Sequence, residues 1–229
     1  GVVAGEILQD QRNRSMLVHP SRLQGDHNQF TEWVRGICNS WRRILTGDDQ
    51  AEKNQLIADF REAYNDLQRT VPDLLPFERL TDFNLVHAIQ YTPILEVNTR
   101  GRNSTPQVNW QDSYSWILVG GQSMDRGFTV EGLTVTYMPR NIGVGNVDVI
   151  LQRARFFGYK RAYLGYCRVF LDRVTIDTYD SIIDHEEKVR EQLEEFDINN
   201  KPLNNWNREA VLDMMLNLTR ANILYDNLD

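Results

Sequence analysis

Two short stretches hold the residues whose types and spacing could do chemistry. Residues 120–127, GGQSMDRG, set two glycines before a polar loop that ends in Arg126 and Gly127. Glycine lets the backbone approach a neighbour closely, and Ser123 and Asp125 are residue types that cap a helical turn. Residues 152–161, QRARFFGYKR, set Gln152 beside Arg153, Arg155, Lys160 and Arg161. A guanidinium presents a planar fork of donors, which suits a phosphoryl group whose charge is spreading over its oxygens. Each stretch alone also has a plain reading. The first is equally a tight connection without a ligand, and the second equally a basic surface patch paired with the acidic helix that follows it.

The elements that must position these groups read as an alternation of strands and helices. Residues 15–19, SMLVH, read as a strand closed by Pro20, Ser21 and Arg22, with Asp26 as candidate N-cap of a long helix. Phe30, Trp33, Val34, Ile37, Trp41, Ile44 and Leu45 then recur at helical spacing as one apolar stripe, expected to pack on the core. A second helix carries Leu56, Ile57, Phe60, Ala63, Tyr64 and Leu67, and a third, shorter one runs near residues 79–89. Ile94, Leu95 and Val97 form a strand before a polar loop, NTRGRNSTPQVNW. Trp116, Ile117, Leu118 and Val119 make a continuous apolar run, as a buried parallel strand does, and Leu133, Val135 and Tyr137 alternate as the next one. A helix over residues 146–157, a strand over 164–171, and helices near 176–195 and 208–224 complete the chain. This order predicts an α/β fold, a mainly parallel sheet flanked by helices.

Composition sets the outer bounds. A chain of 229 residues with 41% hydrophobic content can bury a real core. It opens on Gly1 and a polar stretch, as an excised piece of a longer protein would. No membrane-spanning run or signal pattern is seen, and Cys38 and Cys167 lack metal-type spacing, so the expectation is two reduced thiols in a soluble, cytoplasmic protein. The sequons at Asn103 and Asn217 are then coincidental. The net charge of −7 argues against indiscriminate polyanion binding.

Taken together and in this order, the two stretches resemble motifs V and VI of superfamily II helicases and their translocase relatives. More narrowly, GGQSMDRGFTVEGLTVTY and LQRARFFGYKRAYLGYCRVF, with SMLVHPSR upstream, resemble the helicase-associated Z-one domain family, which carries an endonuclease label and occurs in bacterial restriction-type defence loci. That resemblance implies a single RecA-like second motor lobe over residues 1–229, with its core at 14–46 and 91–172, a helical insertion at 47–90 and a helical extension at 173–229. It implies Arg155 as arginine finger, with Arg161 or Lys160 as a second catalytic cation. Arg126, Gly127, Thr129, Gln152 and Lys160 would face the nucleotide, and Ser21, Arg22, Gly121, Gln122, Ser123, Asn98 and Arg100 the nucleic-acid backbone. ATP and magnesium would be held mainly by an N-terminal RecA-like lobe of the same full-length protein, because no GxxxxGK[ST] phosphate loop is present. Further partners would be DNA before RNA and other defence-system subunits, with no membrane. The chain departs from the pattern at Ala154, where glycine is usual, at Gly158, where a second arginine would fall, and at Thr129, where aspartate usually follows Arg-Gly.

Two other functions stay open on sequence. A metal-dependent endonuclease needs clustered carboxylates with a lysine or histidine, and no such cluster stands out: Glu96 is followed two residues on by Asn98, and Asp180, Asp184, Glu187 and Glu191 read as a solvated face. No metal ligands are assigned. A non-catalytic interaction module would use the helices of residues 48–90 and 175–229 as docking surfaces.

Overall fold

The computed structural model of the chain describes residues 1–21, 23–97, 107–121, 128–139, 158 and 160–198. The chain divides into two units, residues 1–139 with 155–170, and residues 140–154 with 171–229. The first holds α1 (Val2–Ile7), β1 (Arg14–Val18), α2 (Gln24–Thr46), α3 (Gln50–Gln68), α4 (Phe77–Leu80), α5 (Phe83–Tyr91), β2 (Ile94–Val97), β3 (Ser115–Gly120), β4 (Leu133–Met138) and β5 (Arg168–Leu171), whose last residue begins the second unit. The sheet order is β2-β3-β1-β4-β5, and β2 with β3, β3 with β1, and β1 with β4 all run parallel. This is the α/β parallel sheet the sequence predicts.

One face of the sheet carries the apolar core. Leu95, Leu118 and Leu17 stand in register across β2, β3 and β1. Leu17, Leu118, Val97, Trp116 and Leu133 cluster there with Phe128, and Val108, Trp110 and Val130 pack against them. The other face meets α2, which packs on β2, β3 and α5. A cavity of about 410 Å³ remains there between Met16 and Ile117 of the sheet and Trp41, Phe60, Leu85 and Ile89 of the helices.

The alternation of β4 is not the simple one the sequence implies. Ser15 pairs with Leu133, but Met16 pairs with Val135, so the register shifts by one residue at that point. Leu133 therefore joins the Leu17 cluster, while Val135 falls in the row of Met16, on the opposite face. The Thr134 hydroxyl donates to the Ser15 carbonyl at 3.1 Å and so satisfies the bulge locally.

Helix boundaries follow local capping. Asp49 accepts from the Ala51 and Glu52 amides to start α3, and Asp82 accepts from Asn84 to start α5, which is why the single helix expected near residues 79–89 is two. Asp26 is not the N-cap of α2. That helix begins at Gln24 after Leu23, whose amide donates to the Ser21 hydroxyl, and Asp26 lies in its first turn. The α2 stripe is only partly core, because Trp33 and Ile37 are 52% and 49% exposed. The strand expected over residues 164–171 is a 3-10 turn at Leu164–Tyr166 followed by β5. Arg168 at the start of β5 donates to the Asp66 carboxylate at 2.5 Å and to the Thr70 hydroxyl at 3.0 Å, tying the strand to the end of α3.

In the second unit, α6 (Arg173–Ile198) begins where Asp172 accepts from the Thr175 amide and hydroxyl. Asp180, Asp184, Glu187 and Glu191 are exposed along it, as a solvated face requires. The helices expected at 146–157 and 208–224 lie outside the described residues. Among the described residues, no helix is long and apolar enough to cross a membrane.

The tightest backbone approach is at Gly132, which precedes β4 with φ +59°. A Cβ there would lie 1.7 Å from the Asn13 carbonyl oxygen. Replacing Gly132 by alanine is expected to cost about 2 to 4 kcal/mol, from left-handed strain and overpacking together. A lower urea midpoint at unchanged slope is the expected readout, and a shift under about 0.5 kcal/mol would contradict the packing.

Candidate functional site

The chain leaves β1 through α2 and returns at β2, beyond β3, whereas it leaves β3 and returns at β4, on the far side of β1. Neighbouring strands β1 and β3 thus send their successors in opposite directions. In parallel sheets that reversal opens a crevice at the carboxyl ends of the two strands, where ligands are bound. Two segments singled out by the sequence, Ser21 after β1 and Gly121 after β3, meet there.

Their contact is close and runs through a residue that sequence reasoning missed. His27, in the first turn of α2, donates from Nε2 to the Ser21 carbonyl at 2.8 Å, and its own carbonyl accepts from the Thr31 hydroxyl at 2.8 Å. A Cβ on Gly121 would lie 2.6 Å from the His27 ring and 2.9 Å from the Ser21 carbonyl oxygen. His27 and Thr31 are buried. Glycine at 121 is therefore required by the protein's own packing. His19 follows β1 at the same end, with its amide donating to the Tyr137 carbonyl at 2.8 Å. No sequence signal marks His27, since a histidine that packs on a glycine 94 positions away has no local partner spacing.

Chemically, the described residues of the crevice offer hydrogen-bonding groups. Ser21 is half-buried, its hydroxyl accepts from the Leu23 amide, and α2 starts at Gln24 with no side-chain cap. Amides at a helix start point outward and carry partial positive charge, an arrangement that receives anionic oxygens.

The cations divide. Lys160 is not at this end. It is 7% exposed, and its Nζ donates to the carbonyl of Leu133, the first residue of β4, at 2.6 Å. That is the amino end of the sheet, opposite the crevice. Burial pulls its ammonium below the usual lysine value, against the opposing influence of nearby Cys167. Burial likewise raises the Cys167 thiol, while Lys160, Arg14 and Arg168 oppose that shift. Arg161 and Thr129 are exposed. Arg22, Asn98, Arg100, Gln122, Ser123, Arg126, Gly127, Gln152 and Arg155 lie outside the described residues. Among the described residues, no group of three or more His, Cys, Asp or Glu side chains could hold a metal ion.

A family model described as the Z1 domain matches residues 3–210 of the chain. Neither a curated protein nor a solved structure matches it.

Two stability experiments check these placements. Gly121→Ala is expected to cost about 1 to 3 kcal/mol, because the His27 ring is buried and bonded and cannot swing away freely. Combining it with His27→Ala should cost at least about 1 kcal/mol less than the sum of the single changes, whereas strict additivity would refute the contact. For Lys160, the folded value lies below the unfolded one of about 10.4, so between the two the unfolded chain holds more protons and stability rises with pH. The stability of the wild type relative to Lys160→Met should therefore increase as pH rises toward the unfolded value of about 10.4. A constant difference over that rise in urea titrations would show that the amine is not buried as described.

Proposed function

Because the chain belongs to the Z1 domain family, we propose that it is the second motor lobe of an ATP-dependent superfamily II helicase or DNA translocase in a bacterial restriction-type or phage-defence system. The observation that carries this reading is the meeting of Ser21 and Gly121 across the crevice between β1 and β3. A motor must hold a phosphate backbone without reading bases, and hydroxyls and outward-facing amides on a rigid sheet end suit that task. The order of the two motif-like stretches along the chain supports the same reading.

The packing of Gly121 on His27 refines its role. Gly121 is held to glycine by its packing on His27, and the candidates for contact with the nucleic-acid backbone are Ser21, Arg22, Gln122 and Ser123, with Asn98 and Arg100 as further candidates. Arg126, Gly127, Thr129 and Gln152 are the candidates for relaying the nucleotide's state, with Arg155 as the arginine finger and Arg161 as a further cation. Lys160 is left out of that set, since its ammonium is engaged at the amino end of β4.

Of the residues assigned to nucleotide, Thr129 and Arg161 are both described and exposed. Two exposed groups fit a phosphate contact, and since the sequence holds no GxxxxGK[ST] phosphate loop, ATP and magnesium would be held mainly by an N-terminal RecA-like lobe. When bound there, ATP supplies the phosphoryl transfer whose developing charge an arginine can stabilise.

The test uses the full-length protein. Nucleic acid should stimulate its ATP turnover, and Arg155→Ala should lower turnover about a thousandfold or more while ATP binding is largely kept. Unchanged turnover in that variant would remove the finger assignment. Metal-dependent cleavage by residues 1–229 alone would point to the endonuclease reading instead.

A further inference from the structure

The flank of α2 holds a second concave feature, separate from the strand-end crevice. A pocket of about 260 Å³ lies between α2 and the turn from α5 into β2, lined by Arg35, Cys38, Asn39, Arg42, Gln90 and Thr92 over a floor of Ile89 and Ile94. Arg35, Asn39 and Arg42 stand at helical positions i, i+4 and i+7, so one stripe of α2 faces the pocket. Gln90 completes the rim from the other side.

Charge makes this pocket unusual for the chain. The sequence carries 32 acidic against 25 basic residues, yet no carboxylate is among the residues that line it. The nearest acidic partner is Glu32, which accepts from Arg35 at 2.7 Å on the exposed helix surface. The side chains of Asn39, Arg42 and Gln90 make no hydrogen bond or ion pair among the described residues. The Thr92 hydroxyl is already taken up, donating to the Ala88 carbonyl and lying 2.6 Å from the Ser115 hydroxyl. Donors therefore converge with a net positive charge over an apolar floor.

Spacing selects the ligand. Seven residues separate Arg35 from Arg42, about 10 Å along the helix axis. One phosphate cannot lie close to both without drawing the side chains together, whereas a polymer offers phosphates at repeated intervals. We propose that Arg35, Asn39, Arg42 and Gln90 form a contact for the phosphodiester backbone of a nucleic-acid strand, with the sugar lying over Ile89 and Ile94. This rests on the reading of the chain as a nucleic-acid motor lobe and adds to it a surface that the motif-like stretches do not include. Arg35 lies eleven residues into α2, about 16 Å from the helix start beside the crevice, so the strand's footprint extends along α2 toward the amino end of β2.

The experiment measures binding of labelled single-stranded DNA and RNA of one sequence to the 229-residue chain by fluorescence anisotropy over a range of salt. The variants are R35Q/R42Q, R42Q alone and R43Q, the last on the same helix but paired with Glu52 at 2.9 Å and outside the pocket. R35Q/R42Q should weaken binding of both strands about tenfold or more and reduce the log–log salt slope by about 1.4, as loss of two phosphate contacts requires. R42Q should show a clear part of that loss and R43Q little. Equal losses in R42Q and R43Q would reduce the effect to bulk charge and overturn the pocket, as would an unaltered slope in the double variant. Either result leaves the motor-lobe reading standing. Failure of the wild-type chain to bind either strand would overturn both. Because all three arginines are exposed, unchanged urea midpoints are expected and would separate loss of contact from loss of fold.

Discussion

The sheet depends on how β1 is held at its amino end. β1 lies in the middle, with parallel partners on both sides, so its entry point fixes theirs. The Asn13 carboxamide donates to the Trp110 and Ser113 carbonyls at 2.9 Å, tying the strand's approach to that of β3. On the other side, the Ser15 hydroxyl donates to the Glu131 carbonyl at 2.6 Å, its amide to Gly132 at 2.8 Å, and Lys160 holds the Leu133 carbonyl. These bonds satisfy backbone groups at strand starts, where the ladder supplies none, and would otherwise be costly to bury. Once the starts are fixed, strands of five or six residues, each about 17 to 20 Å long, place their far ends with little freedom. The meeting of Ser21 with Gly121 is a consequence at the far end of constraints set at the near one.

The same near end carries a buried charge. Arg14 is 3% exposed, donates to Asp10 at 2.5 Å, and lies 5.3 and 5.7 Å from the Tyr163 and Tyr166 ring centroids. Hydrogen bonding from Arg12, foremost, holds the Asp10 carboxyl down at about 2, with burial opposing it and Arg14 assisting. Such a pair contributes modestly to stability as a sum, because desolvation offsets most of the attraction. Its stronger effect is on geometry. An arginine that bonds Asp10 as well as the Arg12 and Asn13 carbonyls allows few other paths for residues 10–14, which also deliver Asn13 to its position.

What the sequence made legible follows from which interactions are local. The strands at 14–18, 94–97, 115–120 and 133–138 and the long helices were readable because periodicity and capping are written in neighbouring residues. Alternation placed the glycine loop at a strand end beside the arginines of 152–161, and Ser21 was named only through the family resemblance; that Ser21 and Gly121 meet follows from a strand order that neighbouring residues do not encode. The bulge at β4 was not readable, since a one-residue slip depends on what Ser15 and Thr134 bond across strands. Trp33 and Ile37 match the helical stripe as well as any core residue does, and only the width of the surface that α2 covers decides that they stay exposed. Lys160 read as a nucleotide-facing cation because its neighbours in sequence are cations. Its place is set instead by a carbonyl 27 residues earlier.

Gly121 reads on sequence as equally a plain turn or a ligand site, and the structure supplies one cause for a glycine there. A glycine at a strand end reports that something comes close to the backbone, and the approaching group here is the His27 ring. Because His27 also holds the Ser21 carbonyl, one ring contacts the ends of both β1 and β3, at Ser21 and Gly121. The ring that meets both strand ends belongs to the first turn of a 23-residue helix, and α2 is the element whose flank carries Arg35 and Arg42.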